Sequence, residues 1–528
     1  MTQNTLHSLL GTHNGSSGTQ RFTLFPDFTV ELYPSSVHRH GNTDFFIAVK
    51  ENQKCLFGLA GNSASLFEKF SGKTVFKKST DVPVSVMQCP MTHENAVVIR
   101  ELFDHTRPRL IGLANSFGLG DRIGLANPGH VQAIKNSGFR PVLAQQSIRE
   151  LTRTNRTPEE VMDAATWAVF QEGYKQGFGA DADHLKTTDD IDLMVRAGFT
   201  MFTIDPSEYV VNEASELPED ELTRRAAGIR WEMIHDSFDE CMKRYGGRSI
   251  ALDGSLTLSP SHHDVLQAVV KYGNVIAHVV SMNAHLKTKH RDHPSEVEVS
   301  VDETDSPTTL FEHYFIANEL KRLGVELISL APRFIGDFEK GIDYRGDIDA
   351  FTDEYKKHVT IAEKLGPYKL SIHSGSDKFT VYEAIGKLGA GHVHVKTAGT
   401  SYLEALRVVS VKEPELFRDI LQFSRDNFEK EKQTYHVSGS LEHVPDPGTM
   451  EDHELVQLFD NDDARQVLHV AFGKVLTVRD ENGEYMFKNK IITCLSTNEE
   501  LHYRFVKKHF RRHIEPFGVS LGSVQSAQ

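Results

Sequence analysis

The sequence predicts an α/β protein built on a (β/α)8 TIM-type barrel, with a small α+β N-terminal domain, a helical insertion and a mostly helical C-terminal extension. Three observations predict it. From Arg109 onward the chain repeats a strand, loop, helix rhythm, which implies a parallel sheet with right-handed crossovers. The β-prone runs in that region number eight, the count that closes a barrel. Acidic, imidazole and basic side chains gather at the C-terminal ends of those runs, the face on which barrel chemistry is done.

Residues 1–105 read as the N-terminal domain. Phe22 to Phe25, Phe28 to Leu32, Phe45 to Val49 and Cys55 to Leu59 are short β-prone runs between Pro, Gly and Asn turns, followed by a helix-like segment from Ser63 to Phe70. Covering one end of the barrel is the role expected of it. The barrel is assigned to residues 106–405. Its strands are expected at Leu110 to Asn115, Pro141 to Gln146, around Asp181 to Leu185, Phe199 to Asp205, Glu298 to Glu303, Val325 to Ala331, Tyr368 to His373 and His392 to Lys396. Thr187 to Asp190 reads as the cap of the helix after the third strand.

Residues from about 206 to 297 are too many for one crossover. They hold an acidic helix around Pro218 to Tyr245, a short Ser249 to Asp253 run and a long helix from about His262 to Lys287. This insertion is expected to serve as a lid or an oligomer contact, and the sequence does not choose between them. Residues 406–528 form the extension, with helices at Pro414 to Leu421, His453 to Phe459 and Ala464 to Ala471, and a hairpin between Val475 and Lys490 turning at Gly483. No catalytic constellation is evident in it.

A formal charge of -15 at pH 7 excludes the clustered basic surface that nucleic acid or an anionic membrane would need. No run approaches the roughly 20 apolar residues of a membrane span, and Met1 to His7 lack the pattern of a signal segment. The four cysteines, Cys55, Cys89, Cys241 and Cys494, are far apart and show no paired spacing, so reduced thiols and a cytoplasmic location are expected. Gly118 to Gly124 lacks the spacing of a dinucleotide fingerprint.

The polar residues at the strand ends converge on one chemistry. Asp183, His184 and Lys186 end the third strand and Asp302 and Glu303 the fifth. Arg333 follows the sixth, His373 ends the seventh, and His394 and Lys396 belong to the eighth. Three histidines, His184, His373 and His394, with a carboxylate nearby suit a divalent cation such as zinc, manganese, cobalt or nickel with one position open for substrate. His394 alternates with His392 and Lys396 on its strand and could instead be a buried core histidine. Glu303 could be a first-turn carboxylate favoured by a helix dipole. Asp302 is its rival, since a one-residue change of register exchanges the side chain that faces the pocket. Arg333, Lys186 and Lys396 are the candidates for an anionic substrate group or for structural ion pairs. The turns after His373 and after Lys396 either cradle an anion or simply reverse the chain.

Several long strings carry a resemblance. Ser329 to Phe334, Gly336 to Tyr344, Gly366 to Ser371, His373 to Lys378 and His394 to Arg407, together with Asp183-His184 and Val301 to Thr304, resemble those of the bacterial tagaturonate epimerase family from about residue 105 to the C-terminus. The resemblance implies a divalent-metal-dependent enzyme that interconverts D-tagaturonate and D-fructuronate, with the ketohexoses fructose and tagatose as related substrates. It also implies a barrel like that of class II aldolases, in which an Asp-His pair closes the third strand. The aspartate role then falls on Asp183 and the metal role on His184, with Glu303 as the later acid and His373 and His394 as later ligands. Class II aldolases draw a histidine from the sixth strand, whereas Ala331-Pro332-Arg333 offers none.

The stereocentre that distinguishes the two sugar acids lies β to the ketone, so enolisation cannot invert it. Retro-aldol cleavage with re-addition to the other face can, and so can transient oxidation by a nicotinamide, for which the fingerprint is missing. In the first route a carboxylate, Asp183, takes the β-hydroxyl proton and Glu303 serves the other side. A class II-type ketose aldolase that releases both fragments, and a non-catalytic aldolase-like partner subunit, are the competing readings.

Overall fold

A computed structural model describes residues 18–25, 28–61, 65–78 and 84–518; Met1 to His7 lie outside them. Alternating apolar residues up to Cys89 build an antiparallel sheet from β1 (Gln20–Phe25), β2 (Phe28–Leu32), β3 (His38–His40), β4 (Thr43–Lys50), β5 (Gln53–Ala60), β6 (Lys73–Lys78) and β7 (Val84–Cys89). The order is β1-β2-β4-β5-β7-β6, with β3 on β4. β4 and β5 stay in register from Thr43↔Ala60 to Lys50↔Gln53. Glu51 and Asn52 turn between them at φ of 52° and 61°, the positive pair that a tight hairpin needs. One face of the sheet buries Phe45, Ile47 and Leu56 against Ile99, Phe103 and Phe170, which fastens it to the barrel helix Pro158–Glu172. The expected helix at Ser63 to Phe70 is a 3-10 turn, Ser65–Lys69, the residues before it lying outside the described set.

The barrel closes with eight parallel strands: β8 (Ser116–Leu119), β9 (Arg140–Ser147), β10 (Gly179–Leu185), β11 (Met201–Ile204), β14 (Glu296–Val301), β15 (Leu327–Pro332), β16 (Lys369–Ile372) and β17 (Val393–Thr397). β12 (Ile250–Ala251) and β13 (Thr257–Leu258) form a separate hairpin. Around the barrel the order is β10-β11-β14-β15-β16-β17-β8-β9. The first strand departs from expectation. Leu110 is 48% exposed and Gly112 has φ 59°, so the chain is still turning there. The strand begins after Asn115, whose side chain accepts the Val393 N–H at 3.0 Å and so pins the entry to β17.

Side-chain alternation divides the barrel into two environments. Val297, Val299 and Val301 join Leu330, Leu370, Ile372, Val393 and Val395 in the apolar layer beneath the helices. Their inward neighbours are polar and buried, among them Asp181, Glu298, Lys369, His394 and Lys396. An interior lined this way must satisfy its charges internally, and the ion pairs below do so.

The helix His262–Lys289 packs between Thr188–Ala197 and Leu310–Arg322, the place of the barrel's own crossover from β11 to β14. It is the one helix among the described residues long and apolar enough to cross a membrane, and 78% of its apolar window is buried in the protein. The extra material therefore precedes it. The expected single acidic helix is two, Glu219–Ala226 and Phe238–Tyr245, broken at a 3-10 turn that ends with His235 at φ 48°. The hairpin of β12 and β13 packs on Ile361 outside the barrel.

Beyond Thr400–Lys412 the chain forms a second core with Pro414–Glu431, Asp462–Val470, Phe472–Thr477 and Lys488–Thr497. Glu499–Ile514 returns to pack on the barrel helix Asn127–Ile134. The hairpin expected before Lys490 reduces to one bridge, Arg479↔Tyr485, because helices claim both flanks.

Candidate active site

A cavity of about 390 Å³ opens at the C-terminal ends of the strands, a volume suited to a small molecule. Its wall includes Asp183, His184, Asp302, Glu303, Arg333, His373 and Lys396. Among the described residues none before Arg122 and none between His184 and Asp302 lines it. In this structure neither the N-terminal sheet nor the insertion contributes to the cavity wall.

Lys396 anchors the floor. Its Nζ lies 2.8 Å from Asp181 Oδ2, 2.7 Å from Asp183 Oδ1 and 2.7 Å from Glu298 Oε1, and donates to Thr203 Oγ1 at 2.7 Å. Strand pleating makes this possible. Asp181 and Asp183 are two apart on β10 and share its inner face, and β17 brings Lys396 across the barrel. Gln145 Nε2 donates to the other Asp183 oxygen at 3.1 Å. Burial favours a neutral carboxyl at Asp183, but the ammonium of Lys396, helped by His184 and His373, holds it well below the usual carboxylate range. At Asp181 burial wins and the carboxyl rises to about 6. Lys396 itself, despite burial, is held well above an ordinary lysine by the three acids.

His184 stands beside this floor at φ 52°, a left-handed conformation uncommon for a residue with a Cβ. Its Nδ1 lies 3.2 Å from Asp205 Oδ2 and its Nε2 3.8 Å from Asp183 Oδ1. The His373 ring meets it edge to face at 5.2 Å. His373 places Nε2 2.8 Å from Glu298 Oε1 and Nδ1 3.1 Å from Asp302 Oδ1. Burial would lower both imidazoles, yet Asp183 raises His184 to about 8 and Asp302 raises His373 to about 10. Without another cation both rings carry protons near neutrality, so the carboxylates around them are matched to positive charge.

The remaining predicted residues fall in different places. Asp302 and Glu303 both line the cavity, Asp302 in an ion pair with His373 and Glu303 at the rim, 4.0 Å from Arg149. Arg333 lines it with no ion-pair partner among the described residues. Lys186 points away and pairs with Glu208 at 3.1 Å, outside the cavity wall. Lys396 as an anion receptor meets an obstacle, since its three protons already serve four protein acceptors. His394 lies a layer deeper, fully buried, its Nδ1 2.9 Å from Ser116 Oγ and its Nε2 without a hydrogen-bond partner. Burial lowers it to about 3.

Sequence reasoning missed Asp181 and Glu298, although each is an even number of residues from a residue it did select, on the same strand face. It also missed Lys340, Tyr435 and His469, which reach the cavity from long loops and from the C-terminal extension. No local pattern marks those.

The donors at the mouth are of the types that divalent cations take. His184 Nε2 faces inward while its other nitrogen is oriented by Asp205, the carboxylate-histidine arrangement of metal sites. His373 Nδ1 is buried without a hydrogen-bond partner of good geometry. Two other groups bring His and carboxylate ligand atoms within 4.8 Å of one another, closer than the mouth does: partly exposed Asp192, His285 and His290, and buried Asp377, His509 and His513. The buried triad could hold a metal. In the present arrangement Asp377 is also paired with Arg465 at 2.6 Å, and His513 Nε2 accepts the Asp377 N–H.

The chain matches the family model described as "UxaE: tagaturonate epimerase" over residues 33–517. It is 42% identical over 491 residues to the tagaturonate/fructuronate epimerase of Thermotoga maritima, covering 92% of this chain and 96% of that one. Among solved structures it is similar to fructuronate-tagaturonate epimerase UxaE from Cohnella laeviribosi in a one-glycerol complex, with a TM-score of 0.85 and 36% identity over 93% of this chain and 96% of that one. The native structure of the same protein gives a TM-score of 0.84 at the same identity and coverage.

Proposed function

The chain belongs to the tagaturonate epimerase family and is an epimerase of tagaturonate and fructuronate, and from that premise we propose that the inversion takes place in the barrel-mouth cavity by breaking and remaking one carbon–carbon bond. The observation that carries the proposal is the setting of Asp183. It is ionised, buried, oriented by Lys396 and Gln145, and faces the same cavity as His184, His373 and Asp302.

An ionised carboxylate fixed on both sides accepts a proton without first reorganising. As the bond between the α and β carbons breaks, Asp183 takes the β-hydroxyl proton. The bonding pair moves into the ketone half as an enediolate, and the other half becomes a three-carbon aldehyde acid. After the aldehyde presents its other face the pair returns and the bond re-forms. Glu303 gives a proton to the inverted alkoxide, and exchange with water restores both carboxyl groups. Such proton transfers are each worth about 10²- to 10⁴-fold.

His184 Nε2, His373 Nδ1 and the Asp302 carboxylate are the groups that would hold a divalent cation of the zinc, manganese, cobalt or nickel type. When bound, that cation polarises the ketone and offsets the developing negative charge. The depth of His394 favours Asp302 over it as the third donor. All four cysteines are free and buried, which suits a reducing compartment such as the cytoplasm.

The test is NMR of D-tagaturonate incubated with metal-loaded protein. D-fructuronate should appear reversibly, and Asp183→Asn should lower the rate at least about 10²-fold while keeping the fold. Accumulation of free aldehyde and triose in place of fructuronate would overturn the proposal in favour of an aldolase.

A further inference from the structure

Polar groups of three residues, two of them buried, converge on one part of the cavity that the proton chemistry does not use. Arg122 is 4% exposed, stands over the Phe472 ring with Cζ 3.6 Å from its centroid, and donates from Nε and Nη2 to Glu150 Oε1 at 3.0 and 2.8 Å; its Nη1 has no partner. His469 is 1% exposed, and neither ring nitrogen has a partner. Burial, reinforced by Arg122 and Lys340, holds it far below an ordinary histidine, so it is neutral. Lys340 donates to Ser374 Oγ at 2.6 Å and has no carboxylate within ion-pair distance among the described residues.

These groups share one wall. His469 lies so close on the turn after β17 that a Cβ at Gly399 would sit 1.9 Å from its Cε1. That same Gly399 opens the helix Thr400–Lys412, whose first turn has no capping side chain. Arg122 follows β8, the neighbour of β17, and the cavity is lined by Arg122, Lys340, Gly399 and His469 alike. Asp183, His184 and Asp302 belong instead to the ends of β10 and β14. Buried polar atoms are almost always satisfied, so Arg122 Nη1 and the two His469 ring nitrogens, unpaired on a cavity wall, point to a ligand there. Glu150 pairs with Arg122 and His469 is uncharged, so Lys340 is the amine this wall offers to an anion without a carboxylate partner of its own.

We propose that this recess of Arg122, Lys340, His469 and the Gly399 turn is the receptor for the carboxylate of the sugar acid, and that it keeps the three-carbon aldehyde acid in place between bond cleavage and re-addition. The proposal rests on the epimerase reading above. In that chemistry the carboxylate travels with the aldehyde half. Holding it at one end leaves rotation about the bond to the aldehyde carbon free, which is the motion that exposes the opposite face.

The experiment is calorimetric titration of the metal-loaded protein with D-gluconate, a sugar acid without a ketone, and with inorganic phosphate. Wild type, Lys340→Met, Lys340→Arg and Arg333→Met are compared, with thermal unfolding to verify folding. Lys340→Met should weaken gluconate about 10- to 150-fold, the range for one charge-assisted hydrogen bond. Lys340→Arg should restore most of the loss and Arg333→Met should change it little. During turnover of D-tagaturonate, Lys340→Met should also release more hydrazine-trappable aldehyde per epimerisation than wild type. Unchanged gluconate affinity in Lys340→Met, a selective loss in Arg333→Met instead, or tighter binding of phosphate than of gluconate would overturn the assignment. Failure of the wild type to convert D-tagaturonate would sink the epimerase reading and leave the gluconate comparison intact, so the two failures are distinguishable.

Discussion

Replacing Lys396 with methionine removes the ammonium that pairs with three buried carboxylates. The side chains are of similar length, so packing changes little and the perturbation is electrostatic. Asp181, Asp183 and Glu298 stand at 2.7 to 2.8 Å from the ammonium. Removing one partner of a buried pair costs about 3 to 5 kcal/mol, because a charge is left without compensation. The protein can limit this by taking up a proton. Asp181 is already raised to about 6 by burial although Lys396 lowers it, and removing the ammonium raises it further, so Asp181 takes up a proton at pH 7 at little cost. The expected loss therefore lies near the lower end, about 3 kcal/mol, read as a shift in the denaturant midpoint at pH 7. Adding Asp181→Asn to Lys396→Met should recover part of it, a coupling that independent sites would not show. The sign for activity follows. Lys396 depresses Asp183, so without it the carboxylate titrates higher, and the acid limb of the kcat/KM profile should move to higher pH. An unchanged midpoint together with an unchanged acid limb would refute the role given to Lys396.

Chelation should abolish turnover, and His184→Ala or His373→Ala should retain less than about a tenth of the wild-type metal after reloading and desalting, measured by elemental analysis, a drop in keeping with the loss of a direct ligand. His394→Ala should retain most of it. Gly399→Ala should drive His469 from its place, since the added carbon would lie 1.9 Å from its ring, and lower kcat/KM for the uronate about 10²-fold. Asp377 is held well below its ordinary range, against burial, by Arg465 and His509. Its contribution is complete above the unfolded carboxyl value of about 3.9 and disappears as pH falls toward its folded value. Thermal midpoints of Asp377→Asn should be lower than wild type at pH 7, and the two should converge in acid.

Much of the site could be read from local pattern. The pair Asp183-His184 at the end of one β-prone run, and His373 before a Gly/Ser turn, are recognisable because a barrel strand delivers its last residues to one face whatever its partners are. The capping box of Thr187 and Asp190 was legible for the same reason, being made within four residues. The choice between Asp302 and Glu303 was not legible from the strand end alone. Asp302 is the one that meets His373, because it keeps the parity of Glu298 on the inner face. The start of the first strand was missed because Leu110 to Asn115 is apolar enough to be a strand, and bonds to distant residues, from Gly112 to Glu296 and from Val393 to Asn115 among them, hold it as a turn.

By itself the sequence determined the eight-stranded α/β barrel, the strand ends on which chemistry sits and the residue types available there. These follow from side-chain periodicity and turn chemistry, which act over a few residues. Only the tertiary structure decided that Lys396 serves three acids, that His394 is a layer too deep to reach the cavity, that Lys186 turns outward, and that His469, Lys340 and Tyr435 come to the wall. Those outcomes depend on closure of the barrel and on the return of the C-terminal helices. Both bring together residues hundreds of positions apart, and charge compensation in a buried space is a property of that meeting.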